Sequence, residues 1–391
     1  MRFHAAVSDI ESTPNAVRRL AAEAQEALGG QVDVAFAFFT DAHREDAEAL
    51  AETLWLELDP QAVVGCSAEG VIGAGREIER GPGLALLAGS LPGVGLHAFH
   101  VPARDWHDVL EDKADFAERV GSGSETRGVI AFGDPFTTPL NPVLNMFNDA
   151  APGVPLVGGM ASAARSPGGN VLVHNDAVHG DGMVGISLSG PLQVETVVSQ
   201  GCRPVGRPMV ITRSRENVVE QLGGKPAMEM LRETVAGLEE SDRQKLANGL
   251  FVGRAVSEYR ETFGRGDFLV RNVMGVDQET GSIAVNDLLR TGQTIQFHVR
   301  DAATAGEDLS TMLAAQASKE IVAAAGALLF SCNGRGSRMF KQPCHDAGAA
   351  AEAMPGTPVA GFFAAGEFGP VGGKNFVHGH TASFALFRPG K

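Results

Sequence analysis

The sequence predicts an α/β fold with mixed sheets, arranged as two pseudo-symmetric lobes. The first observation behind this prediction is a recurring short apolar strand, found at 32–40, 127–133, 248–254 and 326–332. The second is that helix-like stretches alternate with these strands, which is typical of α/β proteins. The third is that another apolar strand ends each copy, which adds antiparallel edges and favours mixed sheets over purely parallel ones.

Each recurring strand is the first element of a unit with the order strand, helix, strand, strand. Each unit also contains a predicted turn with glycine. The predicted turns are VVGCSAEG at 63–70, LVGGMASA at 156–163, VAGFFAAG at 359–366 and, in the remaining copy, NVMGVDQE at 272–279. The complete units span 32–91, 127–190, 248–300 and 326–389. A period near 60 residues is too long for a solenoid. Four duplicated units therefore predict two lobes of two units each, with Gly65, Gly158 and Gly361 at equivalent turns.

Capping and breaking residues place the helices between these strands. The first helix is predicted to begin at Ser12 or Thr13 and to end at Gly29, because these are typical N-cap and C-cap residues. The second follows Asp41 and ends at Pro60. Apolar spacing and composition predict further helices at 104–120, 140–150, 225–238, 307–325 and 344–354.

The strand pattern weakens after Gly190, where glycine and proline are closely spaced up to about Lys225. Such a stretch is typical of a boundary between domains. We therefore predict two domains, 1–205 and 206–391, with the boundary near 200–225.

Composition excludes several classes of partner. The net charge of −15 opposes nucleic acid and anionic lipid, since binding to either depends on clustered Lys and Arg. No run of 18 apolar residues occurs, so we expect no membrane insertion. The N-terminus lacks the apolar core of a secretory signal, and the four cysteines lack C-x-x-C spacing. These features predict a cytoplasmic protein with reduced thiols.

Three segments resemble the FIST family, in the family's order. They are GCSAEGVIG at 65–73, LGGKPAMEML at 222–231, and FSCNGRGSRMF at 330–340, the last followed by PVAGFFAAGEFGPVGG at 358–373 and HGHT at 378–381. The resemblance covers roughly 30–385 and implies an N-terminal FIST sensory domain (1–205) and a C-terminal one (206–391). It also implies an intracellular sensor of a small ligand. Amino acids have been suggested as ligands, and some members look like haem proteins that sense nitric oxide and regulate a histidine kinase.

The sequence carries no attached output domain, so the resemblance implies signalling in trans to a histidine kinase or a cyclic-dinucleotide enzyme. One departure from the family is that Val71 stands where related turns often carry an acid, whereas Glu367 keeps that acid in the C-terminal copy. If the acid binds ligand in other members, the N-terminal pocket is altered here.

The loop CNGRG at 332–336 is the main candidate for ligand contact, because it follows a buried strand at the edge where α/β sheets bind ligands. Arg335 offers a planar guanidinium group to a carboxylate or a haem propionate. Glu367 offers a carboxylate to an ammonium group. The alternative is a structural salt bridge in which Arg335 pairs with Glu367 or with another acid at the edge of the core. The predicted ligand-binding residues are Arg335, Glu367, Asn333, Gly334, Gly366, Asn375, Cys66 and Ser67.

Histidines give a second candidate site. His378 and His380 are two residues apart on a predicted strand, so both rings would project from one face and would hold a metal or supply an axial haem ligand. The alternative is an ordinary hydrogen-bonding role. His174 and His179 occupy the related strand of the second unit.

Cys332 raises the question of catalysis. A nucleophilic cysteine needs a nearby base, which His345 or His378 would supply, and the protein would then be a Cys/His-dependent hydrolase. The apolar run GALLFSC favours a buried thiol instead. The sequence leaves the enzyme question open and favours a protein without catalysis.

Overall fold

A computed structural model of the chain describes residues 1–246, 249–259, 262–264, 266–317 and 323–390. The α-helices in these ranges are α1 Thr13–Leu28, α2 Ala47–Leu58, α3 Trp106–Val109, α4 Lys113–Arg119, α5 Leu140–Ala150, α6 Ala227–Ala236, α7 Glu240–Lys245, α8 Ala302–Ala317 and α9 His345–Ala353. None of them is long and apolar enough to cross a membrane.

The strands are numbered in chain order. They are β1 Arg2–Ser8, β2 Val34–Thr40, β3 Ala62–Ala68, β4 Val71–Gly73, β5 Arg76–Ile78, β6 Leu84–Ser90, β7 Gly95–Val101, β8 Thr126–Gly133, β9 Leu156–Met160, β10 Leu172–His174, β11 Ala177–His179, β12 Met183–Ser189, β13 Leu192–Gln200, β14 Cys202–Arg215, β15 Val218–Leu222, β16 Lys225–Pro226, β17 Leu250–Ala255, β18 Phe268–Asp277, β19 Ser282–Val285, β20 Thr294–Arg300, β21 Gly326–Cys332, β22 Val359–Ala364, β23 Glu367–Val371, β24 Lys374–His378 and β25 Thr381–Pro389.

The predicted helices are present, with one interruption. α1 begins after the N-cap Ser12 and ends at Gly29 in the left-handed conformation, as its capping residues predict. The stretch 104–120 is divided into α3 and α4, because the Asp112 carboxylate accepts the backbone N–H groups of Ala114 and Asp115 and starts a new helix there. α8 begins five residues before the predicted 307–325 helix, whose residues 318–322 lie outside the described ranges.

Three of the sheets share one strand order. Each has two parallel strands at its centre: β2 with β3, β8 with β9, and β21 with β22. The strand that ends the unit, which is β6, β12 or β25, lies antiparallel beside the first of these. A short hairpin lies antiparallel beside the second. The predicted α/β class with mixed sheets is confirmed.

The hairpins are exchanged among these three sheets in a closed cycle. The hairpin β4–β5, which follows β3, pairs with β22. The hairpin β23–β24, which follows β22, pairs with β9, and β10–β11, which follows β9, pairs with β3. Each sheet is therefore completed by a hairpin from another segment of the chain.

Gly65, Gly158 and Gly361 occupy equivalent positions, but these are strand positions and not the predicted turns. Each lies opposite the middle residue of its parallel partner strand. An added Cβ at any of the three would overlap the backbone carbonyl oxygen of that partner residue. The glycines recur because two backbones approach closely here, and not because the chain turns.

Phenylalanines at matching positions fill the space between the three sheets. Phe38, Phe132 and Phe330 each lie one residue beyond the strand position that faces Gly65, Gly158 or Gly361. Phe132 has its ring centroid 5.2 Å from that of Phe38 and 5.9 Å from that of Phe330. Phe362 packs 4.9 Å from Phe38 and 5.7 Å from Phe330. One continuous apolar core thus joins the three sheets.

The segment 248–300 does not form a fourth copy. Its strands belong to a seven-stranded sheet of order β14-β20-β17-β18-β19-β15-β16, and β14 also pairs with β15. The described pairings in this sheet are antiparallel, so the parallel centre of the other three sheets has no counterpart here. The predicted turn at 272–279 lies largely within β18. The arrangement of four duplicated units in two lobes is therefore not confirmed.

The chain forms two compact units. The first comprises 1–198, 310–377 and 381–391 and contains the three similar sheets. The second comprises 199–309 and 378–380 and contains the seven-stranded sheet. The core of the second unit is a separate apolar cluster around Val252, Phe297 and Val299.

Candidate functional site

The loop after β21 sends its side chains in two directions. Arg335 points into the first unit and is fully buried, whereas Arg338 is half exposed. A short 3-10 turn at 336–338 separates them, and it begins at Gly336 in the left-handed region with φ +54°. This turn allows one short loop both to anchor itself in the protein and to line a cavity.

Arg335 forms a buried ion pair with Asp346 at the start of α9. Arg335 Nε lies 2.7 Å from one carboxylate oxygen, and Nη2 lies 2.7 Å from the other. Ser331 Oγ donates to the same carboxylate at 2.8 Å, and His345 Nδ1 lies 2.9 Å from it. Burial alone would raise the pKa of Asp346, but the charge and hydrogen bonds of Arg335 hold it well below its usual range. The pair is therefore charged at any physiological pH.

Phe340 packs against two of the three side chains that bond this carboxylate, His345 and Arg335. Its ring stacks on the imidazole of His345 with centroids 3.5 Å apart and planes 2° apart. The Arg335 guanidinium carbon lies 5.1 Å from the centre of the same ring, a distance suited to a cation–π contact. The His345 side chain is 19% exposed, so it is the member of this group that solvent reaches.

Glu367 lies beside this ion pair and is also fully buried. Thr381 Oγ1 donates to Glu367 Oε2 at 3.1 Å, and the Cys332 thiol is also hydrogen-bonded to the carboxyl. Burial raises the pKa of Glu367 to about 8, so this carboxyl is largely protonated at neutral pH. Within the described residues, Glu367 Oε1, Arg335 Nη1 and Ser383 Oγ are buried without a hydrogen-bond partner. Buried atoms of this kind mark a polar cluster that still has bonding capacity.

We expect the buried Glu367 to make stability depend on pH. Its folded-state pKa lies above the unfolded value of 4.5, so the folded protein holds a proton that the unfolded chain has lost. The contribution of this group is complete below pH 4.5 and declines as pH rises towards 8, by at most about 1.4 kcal/mol per pH unit. Glu367→Gln, which is neutral at every pH, should flatten this decline in urea-unfolding measurements from pH 5 to 8. If the stability of Glu367→Gln declined with pH as steeply as that of the wild type, the result would contradict a protonated Glu367 in the folded protein.

A cavity of about 160 Å³ lies on the solvent side of the loop. Its walls come from the turn before β4, the segment after β5, the end of β22 and the loop after β21. The lining residues are Glu69, Gly70, Glu79, Arg80, Asn333, Ser337, Arg338 and Phe363.

Charges of both signs line this cavity. Arg338 pairs with Glu69 through both guanidinium nitrogens, and its Nη1 also donates to the backbone oxygen of Asn333. Glu79 accepts the Ser337 N–H at 2.9 Å and the Ser337 hydroxyl at 2.7 Å. In the part of the chain that the structure describes, Arg80 is exposed and has no ion-pair or hydrogen-bond partner. The cavity therefore offers one uncommitted cation next to two carboxylates.

The structure brings some of the predicted ligand-binding residues together and separates others. Arg335 and Glu367 lie in the buried cluster with Cys332, and Asn333 lines the cavity. Gly334 lies in the same loop. Gly366 precedes β23, and its carbonyl accepts the N–H of Met160.

The other three predicted residues have structural contacts. Asn375 holds α5 and β9 in place, since its side chain bonds Asn148 and the backbone at Val154 and Leu156. Cys66 is part of the apolar core, and burial raises its thiol pKa well above the usual value. Ser67 Oγ accepts the N–H of Val171 and so attaches the hairpin β10–β11.

None of the four charged cavity residues was among the sequence-based candidates: Glu69, Glu79, Arg80 and Arg338. Glu69 and Arg338 lie within the quoted segments GCSAEG and CNGRGSR, so a signal for them was present. The sequence did not reveal that side chains along this loop alternate in direction, with Arg335 inside the protein and Arg338 outside.

The histidine pair does not lie on one strand as predicted. β24 ends at His378, and His380 lies beyond it in the left-handed conformation with φ +60°. His380 Nδ1 lies 3.1 Å from Arg300 Nη2, and Nε2 lies 3.1 Å from Asn272 Oδ1. Both ring nitrogens are engaged, whereas an axial haem ligand needs a nitrogen for the iron. The contacts of His380 therefore do not fit an axial haem ligand, and no group of three His, Cys, Asp or Glu among the described residues is placed to hold a metal ion.

The Cys332 thiol is 8% exposed, at the end of a fully buried strand. Its position beside the carboxyl of Glu367 resembles that of a core thiol more than that of a nucleophile, which needs an accessible position and a lowered pKa. The described contacts of Cys332 therefore give no support to the hydrolase alternative.

Two family models together match most of the chain. The model of the FIST N domain matches residues 33–225, and the model of the FIST C domain matches 227–370. The chain belongs to the FIST family. FIST domains are sensory domains that bind small ligands. The division into domains 1–205 and 206–391 stays a prediction.

Full-length relatives of this FIST protein occur in mycobacteria. An uncharacterized protein of Mycobacterium tuberculosis is 38% identical over 391 residues, covering 96% of this chain and 98% of the relative. An uncharacterized protein of Mycobacterium bovis is 37% identical over 398 residues, covering 99% of each. Among solved structures, a cyanuric acid hydrolase from A. caulinodans aligns with 100% of this chain and 99% of that chain, at 10% identity and a TM-score of 0.35.

Proposed function

We propose that this FIST protein is an intracellular sensor that binds a small zwitterionic metabolite of the amino-acid class in the cavity beside Arg338. The observation that carries the proposal is the charge pattern of that cavity. Arg80 is an uncommitted guanidinium suited to a carboxylate. Glu69 and Glu79 lie on the other walls and suit an ammonium group.

The size of the cavity also favours a small ligand. Drug-sized molecules occupy sites of roughly 300 to 1,000 Å³, whereas this cavity has about 160 Å³. An amino acid with a short side chain is compatible with this volume, and a haem is not. The haem-based nitric oxide version of the function therefore receives no support from this cavity or from the contacts of His380.

Signalling would follow from the way in which the cavity joins two chain segments. Glu69 and Glu79 flank the hairpin β4–β5, whereas Ser337 and Arg338 belong to the loop after β21. A ligand that bonds both segments shifts the population towards the arrangement that it binds better. We propose that a partner in trans, such as a histidine kinase or a cyclic-dinucleotide enzyme, responds to that arrangement.

Replacement of the uncommitted arginine tests the proposal. Arg80→Gln should weaken binding of the zwitterion about 10- to 100-fold, since a hydrogen bond to a charged group contributes about 1.5–3 kcal/mol. The matched control is Arg76→Gln, which removes a nearby surface arginine that pairs with Asp9 outside the cavity. Calorimetric titration with small L-amino acids measures both variants. Equal affinities for Arg80→Gln and the wild type would contradict the proposed site.

A further inference from the structure

Three histidines meet where the hairpin β10–β11 packs beside β7. His100 lies on β7, His174 on β10 and His179 on β11. The rings of His100 and His179 stack with centroids 3.7 Å apart and planes 23° apart, and the His174 ring lies 6.0 Å from that of His179. These contacts connect an edge strand of one sheet with an edge hairpin of another.

The hydrogen bonds of this cluster suit neutral rings. His100 Nε2 lies 3.2 Å from the backbone oxygen of Asp181, and His174 bonds the backbone of Ala98. Within the described part of the chain, His174 Nε2 and His179 Nε2 are buried without a partner. A proton added to either nitrogen would find no acceptor, and its charge would lie against another imidazole.

The charged groups around the cluster do not offset that cost. Asp181 acts on His100 and His179, Asp105 acts on His100, and Asp176 acts on His174, whereas Arg104 and His97 oppose a positive charge. Burial is nevertheless the largest influence on all three rings and lowers each pKa, that of His179 to about 4. The unfolded rings titrate near 6.5. Acidification through this range therefore favours any state in which the rings separate.

We propose that His100, His174 and His179 form an acid-sensitive latch that holds the hairpin β10–β11 against β7 and releases it when protonated. The hairpin is one of the three exchanged hairpins. It is attached to β3 by three paired residues, by two hydrogen bonds between Val171 and Ser67, and by two between Asn175 and Val63. Leu172 and Val173 of β10 are buried in the apolar core, whereas β11 is exposed or half-buried along its length. Repulsion among the three cations therefore acts first on β11.

Release of the hairpin has a route to the ligand cavity. Ser67 lies two residues before Glu69, and the Glu69 N–H donates to Ser162 Oγ at 2.9 Å. Loss of the Val171–Ser67 hydrogen bonds removes one restraint on the segment that carries Glu69, which stays attached to β2 and to Ser162. This link to ligand affinity rests on the proposed function, whereas the latch itself does not.

Trp55 offers a local optical probe of the latch. It lies on α2, which packs against β11, and it shares an apolar cluster with Val178 of that strand. The chain has two tryptophans, so Trp106→Phe leaves Trp55 as the single reporter. In this background we expect Trp55 fluorescence to change between about pH 6.5 and 4, while far-UV circular dichroism stays constant.

His179→Phe keeps the ring stack and cannot be protonated, so it should move the fluorescence midpoint at least about half a pH unit lower. His179→Gln serves as a second variant if the phenylalanine variant folds poorly. His107→Ala removes an exposed histidine outside the cluster and should leave the midpoint unchanged.

Three results would overturn the latch. The first is a fluorescence curve of both His179 variants that coincides with the wild type. The second is loss of circular dichroism in step with fluorescence, since the opening would then be global. The third is a transition that disappears in EDTA and returns with stoichiometric Zn²⁺, which would make the cluster a metal site. None of these measurements contains a metabolite. The test of the latch therefore remains valid even if the proposed ligand site is wrong.

Discussion

Arg335→Ala is expected to lower the free energy of unfolding by about 3–5 kcal/mol. The substitution leaves the Asp346 carboxylate buried, with Ser331 Oγ and His345 Nδ1 as its remaining partners among the described residues. Because the pKa of this carboxyl depends on Arg335, the charge must either remain unpaired or take up a proton. Urea unfolding at pH 7 measures the loss.

A double variant separates the charge from the packing. Arg335→Met combined with Asp346→Leu removes both charges and keeps apolar volume, so it should cost less than Arg335→Ala alone. Arg76→Ala breaks an exposed ion pair with Asp9 and should change the free energy of unfolding far less, because solvent screens such pairs. An Arg335→Ala variant as stable as Arg76→Ala would show that the buried pair does not hold the loop.

Gly361→Ala is expected to be at least as damaging, at about 3 kcal/mol or more. The added methyl group would overlap the backbone oxygen of Leu329 on the parallel strand, and neither backbone can move without breaking the ladder between β21 and β22. The equivalent substitutions Gly65→Ala and Gly158→Ala should act in the same way, through Ala37 and Ala131.

Gly348→Ala is the matched control, since it lies on α9 with no atom near the added Cβ. It should stabilise the protein by up to about 1 kcal/mol through helix propensity. Thermal unfolding compares the two variants directly. A Gly361→Ala protein that melts with the wild type would contradict the close strand approach and the shared position of the three glycines.

Recurrence in the sequence predicted much of the fold. Apolar strands alternating with helix-like stretches correctly indicated an α/β chain with mixed sheets, whereas the duplication into four units is not confirmed. The three glycines, Gly65, Gly158 and Gly361, were assigned to turns because glycine is common in turns. In the structure they lie in strands, where they allow two neighbouring strands to approach closely. The exchange of hairpins was not predictable, since β4 pairs with β22 almost 300 residues later and local patterns carry no information on such partners.

The predicted site residues stay a prediction. The loop 332–336 follows the buried strand β21 and contributes Asn333 to the cavity, but the sequence does not show which arginine of this region points inward. The partner of Arg335 is Asp346, at the start of the next helix, and not Glu367, to which the glycine-rich context drew attention. Arg80 has no motif of its own and becomes a candidate only when the cavity places it beside Glu69 and Glu79.

The central claim is that the cavity beside Arg338 recognises a zwitterion. Calorimetric titration of the wild-type protein with L-alanine, propionate and ethylamine tests it most directly, because the three compounds share a short carbon chain and differ in charge. The account predicts binding of L-alanine, weaker or undetectable binding of the two singly charged compounds, and loss of the L-alanine signal in Arg80→Gln but not in Arg76→Gln. Equal binding of all three compounds, or an L-alanine signal that persists unchanged in Arg80→Gln, would contradict it.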